Sequence, residues 1–118
     1  MNLSEFSKRN RDRCTSPTAF NHELDSWSPA EWTNAMAGEL GEAANLTKKL
    51  LRHRDGIAGN VKAEDRDVES LRRRAAREIA DAVIYADLAV QALGFDLATE
   101  IRAAFNAKSE QIGCPIRV

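Results

Sequence analysis

Two pairs of acidic residues recur at a spacing of three, Glu39-Leu40-Gly41-Glu42 and Glu78-Ile79-Ala80-Asp81. On an α-helix, residues three apart lie side by side, so each pair can chelate a cation if its segment is helical. One such pair says little, because Glu is a good helix former and exposed acids at this spacing are common. The faces on which the pairs fall say more. At about 100° per residue, Glu39 points with Trp32, Met36, Ala43, Leu46 and Leu50, and Glu42 borders that apolar stripe. Glu78 shares a face with Leu71 and Tyr85, and Asp81 shares its own with Tyr85 and Leu88. Ionised carboxylates on such faces are costly without a partner, and crowded like charges raise one another's pKa. Something positive belongs among them. Oxygen donors from facing helices suit a hard divalent cation, and a site with room for water and a polyphosphate suits Mg²⁺ or Mn²⁺.

Two other readings compete. The acids could instead form salt bridges with Lys48, Lys49, Arg73, Arg74 or Arg77, all near in sequence. Neither segment, however, has a basic residue central to the acidic faces. A di-iron carboxylate bundle would require Glu-x-x-His motifs, which are absent, and His22 and His53 lie outside both pairs.

The elements that position these residues are helices. Residues 3–13 read as a short polar helix, and residues 14–27, with Thr, Ser, Pro and Asn, as a loop. Ser28-Pro29-Ala30-Glu31 combines a capping box with proline at the first helical position and opens a helix to about Arg52. The segment HRDGIAGNVKAEDRD is expected to be an exposed connection. A third helix runs from about Val68 to Leu93, with Gly94 as its left-handed cap, and Asp96 caps a fourth over residues 97–112. The third carries a second apolar stripe, Ile79, Val83, Ala86 and Val90, and is expected to be largely enclosed. No strand pattern or repeat occurs. The expected architecture is all-α, a bundle of four main helices in one domain: residues 1–27 as N-terminal helix and loop, 28–112 as core helices, 113–118 as tail.

Composition narrows the class. At 118 residues and 43% hydrophobic, the chain can bury one core. Lys and Arg (17) nearly balance Asp and Glu (18), so bulk charge points to no nucleic-acid partner. Cys14 and Cys114 sit in no metal-binding spacing and read as free thiols of a cytoplasmic protein. No apolar run approaches the roughly 18 residues of a membrane span, so no membrane partner is expected.

The segments GELGEAANLTKKL and REIADAVIYADLAVQALGFDL resemble the MazG-like all-α NTP pyrophosphohydrolase superfamily, including its dCTP pyrophosphatase and phage-encoded relatives, over about residues 28 to 112. The signature, an ExxE pair on one helix and an ExxD pair on the next, matches Glu39, Glu42, Glu78 and Asp81 in order and type. The resemblance implies a helical bundle completed as a homodimer or homotetramer. It also implies Mg²⁺-dependent hydrolysis of a (d)NTP to (d)NMP and pyrophosphate, with the four acids as metal ligands and catalytic groups. A non-catalytic helical interaction or nucleotide-binding module is the alternative.

Substrate contacts are expected elsewhere. Lys108 lies on the stripe of Leu97, Ile101, Phe105 and Ile112, where an apolar residue would be usual. In the family a Lys and an Asn here bind phosphate; Lys108 matches the first, whereas Ile112 stands where the Asn is expected and Asn106 points to another face. A lysine stem covering apolar surface is the equal alternative for Lys108. Tyr85, one turn after Asp81, could reach a phosphate or sugar, or else is a core aromatic with a satisfied hydroxyl. Lys49, two turns beyond Glu42, could reach a phosphate, though a solvated helix end is the stronger reading. Before the second helix, Phe20, His22 and Trp27 are suited to a base, or else staple the loop to the core.

Overall fold

The computed structural model describes residues 1–57 and 61–118; residues 58–60, inside the connection expected to be exposed, lie outside the described residues. Four helices account for most of the chain: α1 (Leu3–Thr15), α2 (Pro29–Arg54), α3 (Val68–Ala92) and α4 (Leu97–Gln111). Short 3-10 turns occupy Leu24–Ser26 and Ala63–Asp65, and there is no strand among the described residues. No single helix is long and apolar enough to cross a membrane.

The helix ends follow local chemistry. Ser28 and Glu31 close the expected capping box: the Ser28 amide donates to Glu31 Oε2 at 2.7 Å and the Glu31 amide to Ser28 Oγ at 3.3 Å. Asp96 accepts from the amide and hydroxyl of Thr99, both at 2.8 Å. Asn2 caps α1 by accepting from the Glu5 amide at 2.8 Å. At the other end of α3, Gly94 sits at φ +86°, its amide donating to the Gln91 carbonyl and that of Phe95 to the Val90 carbonyl. That is a Schellman motif, and the same pair of bonds ends α2 at Gly56 and α4 at Gly113.

The chain divides into two compact units, Met1–Trp32 with Asp87–Val118, and Thr33–Ala86. In the first, α1 packs on α4 and on the Leu24–Ser26 turn. The buried face of α1 is Ser7, Asn10 and Cys14, a stripe at helical spacing with almost no hydrocarbon. Its partner is Asp87, fully buried, whose carboxyl accepts from Ser7 Oγ, from Asn10 Nδ2 at 2.9 Å and from Gln91 Nε2 at 2.9 Å. Gln91 also donates to the Ser7 carbonyl at 3.1 Å. Both cysteines are free thiols; burial pushes the Cys14 thiol up.

In the second unit the apolar seam is Leu46, Leu71 and Ala75, with Leu50 against it. Three expectations need correction. The connection between α2 and α3 is not simply exposed: Asp65 is only 3% accessible, held by Lys49 and Arg74. The face of α3 expected to be enclosed is open, with Ile79 at 49% and Val83 at 44% accessible, because the unit's own seam runs along the Leu71 and Ala75 side. Likewise Ile101, Phe105 and Ile112 on α4 are exposed, while its buried residues are Leu97 and Ser109.

Candidate metal centre

α2 and α3 bring three carboxylates to one point. An oxygen from each of Glu39, Glu78 and Asp81 lies within 4.8 Å of the others; the two glutamates are half-buried and the aspartate is exposed. Small buried neighbours, Ala43 on α2 and Ala82 on α3, flank these acids. Glu42, exposed, completes the quartet by sharing a hydrogen bond with Glu78. The Glu78 carboxyl is accordingly pushed up, first by burial, then by the Glu42 bond, then by the charges of Glu42, Glu39 and Asp81.

The salt-bridge alternative finds no support here. Lys49 and Arg74 both pair with Asp65, and Arg73 pairs with Glu69. No ion pair joins any of the four acids to a base among the described residues. What remains is a cluster of negative charge that a cation would relieve. Neighbouring oxygens on one small divalent ion lie about 3 Å apart, so the three acids would have to draw together by up to about 2 Å to share one.

The substrate candidates fall in different places. Tyr85 is half-buried one turn beyond Asp81, in the same unit as the acids. Lys49, also in that unit, holds Asp65 Oδ2 at 2.7 Å. In the other unit, Lys108 is exposed and donates to Gln111 Oε1 at 3.0 Å. Asn106 is tied to the backbone of Val118 by both ends of its amide, at 3.0 and 3.1 Å. His22 and Trp27 form a three-ring cluster with Trp32, with centroids 4.7 to 5.1 Å apart. Trp32 Nε1 donates to the Leu24 carbonyl at 2.9 Å, and His22 Nδ1 lies 3.0 Å from Ser26 Oγ. These rings pack the loop onto the start of α2. Phe20 stays exposed, with the Arg13 guanidinium 5.6 Å from its centroid.

Sequence reasoning did not single out Asp65 or Asp87. The signal for Asp87 was present: Ser7, Asn10 and Cys14 recur at helical spacing within a strongly charged helix, a polar stripe in need of a buried partner. Asp65 had none, since its cations come from two helices on either side of an irregular connection.

No protein-family model, curated protein or solved structure matches this chain.

Proposed function

We propose that this chain is a Mg²⁺-dependent nucleoside triphosphate pyrophosphohydrolase that converts a (d)NTP and water to (d)NMP and pyrophosphate. The observation that carries the reading is the convergence of Glu39, Glu78 and Asp81 within 4.8 Å, with no ion pair to a base among the described residues. The resemblance of the two acidic segments to the MazG-like superfamily supplies the reaction. Mn²⁺ suits the same ligands.

The bound cation supplies charge neutralisation for the polyphosphate and lowers the pKa of a coordinated water. The chain's own residues then have separate tasks. Glu39, Glu78 and Asp81 would hold the ion as carboxylates, the form that metal ligation needs. Glu42, the exposed member of the pair on α2, would accept a proton from the water as it adds to the α-phosphorus and the bond to the pyrophosphate leaving group breaks. Tyr85, in the same unit as the acids, orients a phosphate or the sugar. Lys49 reaches substrate only by leaving Asp65.

Homo-oligomerisation belongs to the same proposal. The exposed Ile79 and Val83 on α3 and Ile101 and Phe105 on α4 support it, since a lone chain leaves these faces in water.

Pyrophosphate release measured across the eight common nucleotides, with Mg²⁺ and with EDTA, tests the reading. Release should need the metal and vanish in Glu39→Gln and Asp81→Asn, both still helical by circular dichroism. Full activity in both variants would remove the four acids from the mechanism. Absence of release from every nucleotide, with a melting temperature unmoved by Mg²⁺ and a non-hydrolysable analogue, would instead mark a non-catalytic interaction module.

A further inference from the structure

The unit Thr33–Ala86 contains a second charged feature, opposite in sign. Beyond the acids along α2, a cavity of about 260 Å³ is lined by Asn45, Lys48, Lys49, Arg52, His53 and Lys62, with Asp65 at its wall. Among the described residues Asp65 is the only acid lining this cavity, and its charge is already engaged. Its Oδ2 takes Lys49 Nζ at 2.7 Å, its Oδ1 takes Arg74 at 2.6 Å, and its backbone carbonyl takes His53 Nε2 at 2.7 Å. Two cations on one carboxylate hold it well below the usual range, Lys49 first and Arg74 second.

Lys48, Arg52 and Lys62 are left over, exposed and without an acidic partner among the described residues. Three like charges around one cavity repel, and an anion inside would reverse the sign of each interaction. The C-terminal end of α2 accounts for only part of this. A helix terminus has about half a negative charge, felt within the last turn, whereas Lys48 lies ahead of that turn and Lys62 is outside the helix.

Size selects among anions. At about 260 Å³ the cavity is smaller than most drug-sized sites, which run to roughly 300–1,000 Å³, and its basic lining suits one or two phosphate groups. We propose that it binds a free phosphoryl oxyanion, inorganic pyrophosphate or phosphate, through Lys48, Arg52 and Lys62 with the Asn45 amide as a neutral donor. The site needs neither a metal nor the proposed hydrolysis. If that reaction is correct, it would retain a product two to three turns from the carboxylates.

The test is a titration of the full chain in EDTA with inorganic pyrophosphate, followed by calorimetry and by amide chemical shifts. Saturable binding is expected, with the largest shifts at Asn45, Lys48, Arg52 and Lys62. Lys48→Ala and Arg52→Ala should each weaken it about tenfold, the loss of one charge-assisted contact, while Lys48→Arg retains it. Glu78→Gln should bind as the wild type does. Because the substituted side chains are exposed, unchanged thermal unfolding will show that the variants remain folded. Absence of binding at millimolar pyrophosphate would overturn the proposal. So would an equal response to chloride at matched ionic strength, loss of binding in Glu78→Gln, or tighter binding of a non-hydrolysable nucleotide at these residues.

Discussion

Glu78 is the residue at which burial and neighbouring charge act in the same direction. Its folded-state pKa is raised, so the charged form is penalised on folding, and metal-free stability is lost as pH rises through the folded value. In EDTA, Glu78→Gln should therefore melt a few degrees above the wild type, with a gap that opens as pH rises above the ordinary carboxyl range and levels off beyond the folded value. The same substitution should abolish any Mg²⁺-induced rise in melting temperature. A wild type that melts higher than the variant in EDTA would contradict the crowding argument. Asp65 has the opposite sign: its folded pKa is lowered by Lys49 and Arg74. Its contribution is present above the unfolded-state value of about 3.9 and lost as pH falls through the folded value. Urea unfolding of wild type and Asp65→Asn should show a constant difference from pH 7 to pH 5 that shrinks below pH 4. Asp87 tests a carboxyl that is both buried and fully hydrogen-bonded. Asp87→Ala strands the donors of Ser7, Asn10 and Gln91, and should cost about 3 kcal/mol or more by urea unfolding.

At the scale of elements, caps were the most legible feature, because capping depends on residues within one turn. Ser28, Glu31, Gly94 and Asp96 each perform the expected role. The Schellman motifs at Gly56 and Gly113 follow the same local rule. Adding a Cβ at Gly94 meets no neighbour, so the cost of Gly94→Ala is conformational, from φ +86° alone. It should destabilise by about 1 kcal/mol in thermal or chemical unfolding; a neutral result would mean that the α3–α4 turn can relax. Helix α1 was legible as a helix but not by its inward face, since hydrophobic periodicity cannot detect a stripe that packs through hydrogen bonds. The stripe on α4 misled in the opposite way. Its apolar residues are periodic, yet a periodic face states only that something apolar should cover it, and in the single chain Ile101, Phe105 and Ile112 face water.

For the whole molecule, these open faces lead to a prediction about association. Sedimentation velocity at micromolar concentration should show a dimer or tetramer, and Ile79→Lys with Val83→Lys should shift it toward monomer without loss of helicity. A monomer at all concentrations would count against the oligomeric part of the proposal. The division into two compact units was not read from the sequence, where one bundle was expected, because helices as long as α2 and α3 show no composition change at Trp32 or Asp87. By itself, the sequence determined what depends on neighbours three and four residues away: four helices, their caps, and the pairing of acids on single helix faces. Only the tertiary structure decided which faces meet. It brought Glu39 to Glu78 and Asp81, took Lys49 and Arg74 from the acids to Asp65, and sealed Asp87 among polar groups from α1. Those outcomes depend on contacts between residues tens of positions apart, whose energies no periodicity along one helix encodes.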